Sequence, residues 1–261
     1  MTNLFSNRIR ALFTVLGALL VFFVAWPLLR TVTGSQPIII WETLLEGEVR
    51  QAIALTFYSS ALATVVAFFT GVPLAYLLAR VDFPGKRLIE GIVDVPIVVP
   101  HSAAGIALLM VFGRRSFLGK AFSLVGLKFV SDAPGIVIAM LFVSLSFLVD
   151  SAREGFEAVD PRLERVARTL GASPWQAFRR VSFPLAWRSI LSGMIMMWAR
   201  GLSEFGAVVI LAYHPMIAPV LLYERFESFG LKYARPVAAI IIVICLLTFV
   251  VLRLIAQEKE D

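Results

Sequence analysis

The chain has 261 residues, of which 59% are hydrophobic and only 16% are charged, whereas soluble proteins average about 45–50% and about 25%. This composition cannot easily supply the polar exterior of a soluble domain, and it is too apolar for a disordered chain. The single cysteine, Cys245, excludes a disulfide-stapled secreted fold, and we expect an inert buried or lipid-facing thiol. A net charge of +6 could suggest nucleic acid. In a membrane protein, however, excess Lys and Arg marks cytoplasmic loops, so we predict a polytopic membrane protein without a nucleic-acid partner.

Six apolar segments are long enough, or nearly so, to cross a hydrocarbon core, which takes about 20 helical residues. They are residues 11–29, 52–79, 92–112, 134–149, 189–212 and 236–252. The fourth segment is too short to span the core, so we expect its helix to continue into Ser151 and Ala152. The first resembles a secretory signal, but no A-x-A cleavage site follows it, and we expect a retained helix. The pattern predicts an all-α polytopic membrane protein with six transmembrane helices in a single permease domain, residues 1–261.

Six helices place both termini on one side of the membrane. With cytoplasmic termini, 14 Lys and Arg residues face the cytoplasm and 9 face outward, as the positive-inside rule requires. Seven of the 14 lie in one loop, residues 150–188, and without it the count is 7 against 9. The predicted location, a multi-pass protein of the cell membrane with both termini in the cytoplasm, therefore depends on what this loop is.

The loop of residues 150–188 carries the signals of two short helices. Asp160 can cap the first helix, with Pro161 at its first position and Glu164 in its first turn, and Gly171 ends it. Four apolar residues share one face of this helix: Leu163, Val166, Ala167 and Leu170.

The second helix of the loop begins after Ser173, which can cap it, and has Pro174 at its first position. We expect it to end at Pro184. Its apolar face consists of Trp175, Phe178 and Val181. Two interpretations stay open from physical chemistry alone. The helix pair could lie on lipid headgroups with its arginines over anionic lipid, or it could dock into a groove of a partner protein.

The order of residues within this loop resembles a known motif. Residues 165–171 read RVARTLG, and after nine further residues the chain continues as VSFP at 181–184. The pattern resembles the EAA loop of binding-protein-dependent ABC importer permeases, which reads E-A-A, three residues, G, nine residues, I-x-L-P. Three family residues stand at the right spacing: Ala167, Gly171 and Pro184. Four positions differ: Arg165 replaces the Glu, Val166 the first Ala, Val181 the Ile and Phe183 the Leu. Glu164 stands one position before the family's Glu.

The resemblance implies that the loop is a cytoplasmic coupling helix, which docks on an ATPase subunit and transmits its ATP-driven motion to the membrane helices. The implied coupling residues are Glu164, Arg165, Val166, Ala167, Gly171, Ala172, Ser173, Pro174, Val181, Phe183 and Pro184. The implied partners are a second copy of the chain, two ABC ATPase subunits and an external oxyanion-binding protein. ATP and magnesium would then bind to the ATPase subunits, with no cofactor in this chain.

Further segments narrow the resemblance within that family. They are GVPLAYLLAR at 71–80, FPGK at 83–86, DVPIVVPH at 94–101 and WARGLSEFGA at 198–207. Together they are similar to molybdate and tungstate permeases, with sulfate and thiosulfate permeases as relatives. We therefore expect import of a tetrahedral oxyanion, most specifically molybdate or tungstate, with a sulfate or thiosulfate permease as the alternative. An ion-driven secondary transporter is a different class, which would take up substrate without an ATPase.

Charged residues inside membrane helices cost about 2.5–3.5 kcal/mol each on insertion scales, so they face protein or water. Arg200 and Glu204 stand four residues apart in the fifth segment, where one helix face would bring them together. They could form a packing ion pair, or they could line or gate the transport pathway. In the second case Arg200 attracts the oxyanion and Glu204 prevents it from being held too tightly.

Prolines interrupt the third segment at Pro96 and Pro100. The break could be a simple kink, or it could open the helix so that backbone N–H groups and Ser102 meet a passing anion. His101, beside the break, is either a packing or capping residue or a group that responds to pH.

Two other polar residues allow local predictions. We expect Asp94 to be paired or solvated at the cytoplasmic mouth of the third helix. His214 would lie in an external loop, either as an ordinary surface residue or as part of a docking site for the binding protein.

Several catalytic motifs are absent from the sequence. The Gly-Lys pairs at 85–86 and 119–120 are preceded by Arg80 and Arg114 where a phosphate-binding loop requires its first glycine. The chain also lacks an H-E-x-x-H motif and a G-x-S-x-G elbow, which disfavours a metalloprotease and an intramembrane hydrolase. We therefore predict a chain that is not itself an enzyme and that holds no metal.

Overall fold

The computed structural model describes residues 2–257, and the side-chain surroundings of residues 7–250. Throughout the described residues the regular structure is helical. The helices are α1 Thr2–Thr33, α2 Pro37–Leu45, α3 Gly47–Arg80, α4 Lys86–Val98, α5 His101–Phe112, α6 Phe117–Ser123, α7 Ala133–Glu157, α8 Pro161–Thr169, α9 Pro174–Ala177, α10 Phe183–Leu202, α11 Gly206–Leu211, α12 Ala218–Phe229 and α13 Leu231–Gln257. A π-helical turn, Phe178–Ser182, links α9 to α10. The prediction of an all-α protein is confirmed for this part of the chain.

Four helices of the described chain are long and apolar enough to cross a membrane: Asn7–Thr33, Gly47–Arg80, Ala133–Glu157 and Leu231–Val250. They cover the first, second, fourth and sixth predicted segments. The fourth continues past Ala152 as expected. The third predicted segment lies in α4 and α5, which together meet the same test but are bent by 117° at the break between them.

The fifth predicted segment, residues 189–212, is not one continuous helix. Helix α10 ends at Leu202, and α11 begins only at Gly206. Two side chains bond to the backbone at the break: Ser203 Oγ donates to the carbonyl of Arg200 at 3.0 Å, and Glu204 Oε1 accepts from the amide of Ala207 at 2.9 Å. Such side-chain bonds compete with the helical ladder and explain why the helix stops here.

The chain divides into two compact units. One unit joins the chain up to Gln51 with the chain from Leu221 onward, and in it α13 packs against α1 and α2. Arg235 of α13 donates to the carbonyl of Gly34 at 2.8 Å. Large apolar side chains lie exposed along α1, as suits a helix surrounded by lipid.

The second unit, Ala52–Val220, is built around α7. This helix buries Ile136, Met140, Leu148 and Phe156 and packs most extensively against α10. Gly193 brings the two backbones together, because a Cβ atom there would lie 2.8 Å from Ser151 Cβ. Close approach through small residues is typical of helix contacts in membranes.

Candidate functional site

The first helix of the loop has the predicted ends. Asp160 accepts a hydrogen bond from the amide of Arg162 at 2.8 Å, which caps α8. Gly171 has φ +91°, in the left-handed region, and the amide of Ala172 donates to the carbonyl of Ala167 at 3.0 Å. This pattern is the Schellman ending of a helix, in which glycine avoids the strain of a left-handed backbone.

The second helix begins as predicted but ends differently. Ser173 and Gln176 form a reciprocal capping box, and Pro174 stands at the first turn of α9. The expectation that Pro184 ends this helix was wrong, because the chain continues through the π turn into α10. In that turn the amide of Phe183 donates to the carbonyl of Phe178, five residues back. The wider turn accommodates a residue without an N–H, so Pro184 is tolerated in the first turn of α10.

Three of the four residues predicted to form the apolar face of the first loop helix are turned away from the rest of their unit. Leu163, Val166 and Leu170 are exposed, and Leu170 keeps 83% of its surface accessible. Trp175 at the start of α9 is exposed as well. Glu164 and Ala167 are instead partly buried on the inner side of α8. Such an arrangement leaves several large apolar side chains exposed for another molecule to cover.

The acidic residue of α8 binds inward to α3 and to the π turn. Oε1 of Glu164 lies 2.7 Å from Arg80 Nε and accepts from Ser182 Oγ at 2.5 Å, while Oε2 accepts from the Tyr76 hydroxyl at 2.9 Å. Burial by itself would raise the pKa of Glu164, but the hydrogen bonds from Ser182, Arg80 and Tyr76 outweigh it and hold the pKa below its ordinary value.

Sequence reasoning missed Arg80, Tyr76 and Ser182 as partners of this carboxylate. Arg80 and Tyr76 are 84 and 88 residues from Glu164 in sequence. Ser182 lies in the same loop motif as Glu164, but the motif does not indicate a bond between the two side chains. The one available signal was Arg80 itself, an arginine directly after a long apolar run, which needs an acid when it is buried.

A second polar cluster joins the two helix breaks of the same unit. Arg200 Nη2 lies 3.3 Å from Glu204 Oε2, which lies 3.0 Å from His101 Nδ1. Arg200 Nη2 is also 2.6 Å from Nε2 of the same imidazole. The predicted pairing of Arg200 with Glu204 is confirmed, although Glu204 follows the end of the helix instead of sharing its face.

Glycines allow the starts of α5 and α11 to meet at this cluster. A Cβ atom on Gly206 would lie 2.8 Å from His101 Cβ, and one on Gly105 would lie 2.9 Å from the carbonyl of Ala207. The predicted break at Pro100 is confirmed, since Pro100 immediately precedes α5, but the break predicted at Pro96 was wrong, because Pro96 lies inside α4. Ser102 lies in the exposed first turn of α5. The Glu204 side chain has no exposed surface, whereas those of Arg200 and His101 are 23% and 37% exposed.

The remaining polar residues have local roles. Asp94 lies beside the carboxyl group of Asp150, and its buried Oδ1 has no hydrogen-bond partner among the described residues. Arg153 lies 3.2 Å from Glu90 and 3.6 Å from Asp150 and so connects α4 with α7. His214 is exposed on a loop. Cys245 is an exposed free thiol on α13.

Comparison with known proteins gives a consistent assignment. The family model described as "Binding-protein-dependent transport system inner membrane component" matches residues 71–259. The chain is 43% identical over 253 residues to the molybdate/tungstate transport system permease protein WtpB of Thermococcus kodakarensis, covering 95% of this chain and 96% of that protein. It is 34% identical over 236 residues to the probable sulfate transport system permease protein cysT of Marchantia polymorpha, covering 88% of this chain and 80% of the relative.

The fold has a counterpart among solved structures. A bacterial ABC transporter involved in the import of the acidic polysaccharide alginate superposes with a TM-score of 0.75, covering 98% of both chains at 18% identity. The expected family and the membrane-permease function are therefore confirmed: this chain belongs to the binding-protein-dependent transport system inner membrane components, the membrane permease subunits of ABC importers.

Proposed function

We propose that this permease imports molybdate or tungstate. The observation that carries this substrate assignment is the 43% identity, across 95% of the chain, to a permease named for those two anions. Sulfate is the second candidate, because a relative named for sulfate transport matches at 34% identity. All three substrates are tetrahedral dianions, so a shared permease architecture suits each of them, and an external binding protein does most of the selection.

In the proposed assembly, two copies of the chain form the pore and two ATPase subunits bind ATP and magnesium. Each chain crosses the cell membrane six times with both termini in the cytoplasm, the fifth crossing being α10 and α11 together with the break between them. The α8–α9 segment, residues 161–177, is the coupling segment. The exposed apolar residues Leu163, Val166, Leu170 and Trp175 support docking on the ATPase, because an apolar surface of this kind is stabilised when a partner covers it.

We assign the cluster of His101, Arg200 and Glu204 to the transport pathway as a gate. An unpaired arginine in a region of low dielectric would hold a dianion strongly, and slow release would limit transport. The Glu204 carboxylate, 3.3 Å from Arg200, offsets part of that attraction. Pro100 opens the backbone beside the cluster, and Ser102 adds a hydroxyl at the exposed start of α5.

Transport by the purified complex tests this function. The permease is purified with its ATPase subunits, reconstituted in proteoliposomes and supplied with its binding protein, and uptake of labelled molybdate is followed with and without ATP. We expect ATP-dependent uptake that excess tungstate suppresses and excess sulfate does not. Equal suppression by sulfate would reassign the substrate. Uptake by the permease alone under an ion gradient would instead identify a secondary transporter.

A further inference from the structure

The carboxylate of Glu164 faces its own chain, although α8 carries the exposed surface of the coupling segment. Oε1 takes two hydrogen bonds, from Arg80 and Ser182, and Oε2 takes one from Tyr76. An ionised carboxylate accepts about four hydrogen bonds in total. Most of its capacity is therefore used within the permease, and it has little left for a partner protein.

Arg80 extends the same set of contacts to the end of α7. While its Nε donates to Glu164, its Nη2 donates to the carbonyl of Val159 at 2.8 Å. The side chains of Arg80 and Glu164 are only 10% and 15% exposed. Charge-assisted hydrogen bonds shielded from water are roughly twice as strong as neutral ones. The C-terminal end of α3 is thus attached both to α8 and to the turn that leads into it.

Tyr76 adds an apolar contact to this polar one. Its ring packs edge-on against Phe156 of α7, with centroids 5.2 Å apart, and against Phe178 of the π turn at 4.8 Å. Because its hydroxyl also donates to Glu164, the residue fixes the position of α8 relative to the membrane helices through both ends of its side chain.

We propose that Glu164, Arg80 and Tyr76 are positioning residues that make the coupling segment move together with α3. Building on the proposed function, this assigns the three residues to mechanical transmission within the permease and not to contact with the ATPase. Without the Glu164 carboxylate, α8 would still bind the ATPase through its exposed apolar residues. Its displacement would then be absorbed by the loop at residues 158–160 instead of reaching α3.

The test separates ATPase binding from energy coupling. Glu164→Gln and Tyr76→Phe permeases are purified with the ATPase and reconstituted, and three quantities are measured: bound ATPase, ATP hydrolysis and oxyanion uptake per ATP hydrolysed. Glu154→Gln is the matched control, because Glu154 is an exposed acid on α7 with the same loss of charge. An Arg80→Glu, Glu164→Arg double variant reverses the ion pair.

For Glu164→Gln we expect unchanged ATPase binding, continued hydrolysis and uptake per ATP lowered by about fivefold or more. Tyr76→Phe should lower uptake per ATP by a smaller factor, and Glu154→Gln should behave as wild type. The double variant restores the ion pair but not the hydrogen bonds to Tyr76, Ser182 and Val159, so it should recover only part of the loss. Wild-type uptake per ATP in Glu164→Gln would overturn the inference. Loss of ATPase binding in that variant would also overturn it, by placing Glu164 at the interface. If the wild-type permease binds no ATPase, the proposed function itself fails.

Discussion

The fully buried carboxylate of Glu204 lies 3.0 Å from Nδ1 of His101, so the break between α10 and α11 is joined to the break between α4 and α5. The same carboxylate is 3.3 Å from Arg200 and accepts a hydrogen bond from the amide of Ala207. One acidic side chain thus ends one helix, begins another and compensates a neighbouring cation. If the cluster is part of the transport pathway, its charge balance must affect transport.

Glu204→Gln preserves the shape of the side chain but removes the charge that compensates Arg200. A more exposed positive charge holds a dianion more tightly, so we expect both the KM for oxyanion uptake and the maximal uptake rate to fall. We expect each of the two values to change by about tenfold, since hydrogen bonds to charged groups contribute about 1.5–3 kcal/mol. Uptake kinetics in proteoliposomes provide the measurement, with exposed Glu154→Gln as the control. An unchanged KM would show that Glu204 is not part of the transport pathway.

Gly193→Ala should destabilise the contact between α7 and α10. The added methyl group would lie 2.8 Å from Ser151 Cβ and 3.1 Å from Leu148 Cα, and the latter is a backbone atom that cannot move aside easily. Overpacking of this kind costs about 1–3 kcal/mol, so we expect a lower Tm in detergent. Gly91→Ala is the matched control, because Gly91 also lies within a helix but has open space around it. A Tm for Gly193→Ala equal to that of the control would contradict the close packing.

Substitutions of Gly171 test whether the shape of the coupling segment matters for docking on the ATPase. Its φ is +91°, and a Cβ atom there would meet open space, so any effect of substitution comes from the backbone. Valine in the left-handed conformation would be strained by about 1–2 kcal/mol, so it would either destabilise the turn or leave this conformation. Asparagine tolerates the left-handed conformation. We expect Gly171→Val to lower the amount of ATPase that co-purifies and Gly171→Asn to retain most of it. Equal binding by both variants would mean that the turn between α8 and α9 is unimportant for docking.

The contribution of Glu164 to the stability of the fold should persist as the pH is lowered from neutral to about 4.5. Its pKa in the folded protein is lowered from the ordinary value of 4.5, so its contribution is fully present above pH 4.5 and is lost only as the pH falls through the folded value. We expect the Tm difference between wild type and Glu164→Gln to stay constant from neutral pH to about pH 4.5 and to shrink below it. Thermal unfolding in detergent across this range is the measurement. A difference that disappears well above pH 4.5 would show that the carboxylate is not held by these hydrogen bonds.

The helices that sequence reasoning located correctly depend on local or compositional signals. Apolar length was enough to find α1, α3, α7 and α13, because a helix satisfies its own backbone hydrogen bonds wherever it lies. The ends of α8 and the start of α9 were also predictable, since a cap and the amide it binds are separated by only two or three residues.

Tertiary structure decided everything that depends on residues distant in sequence. Hydropathy treats 189–212 as one span, yet the chain leaves the helix where Glu204 bonds to the backbone and meets His101. Likewise, the sequence placed Glu164 within a coupling motif but could not show that it binds Arg80, because that ion pair exists only after α3 and α8 have packed. Length, apolarity and caps are properties of short segments, so the sequence by itself determined the class, the family and most of the helices. The pairing of buried charges is a property of packing, which brings together groups that no local pattern connects.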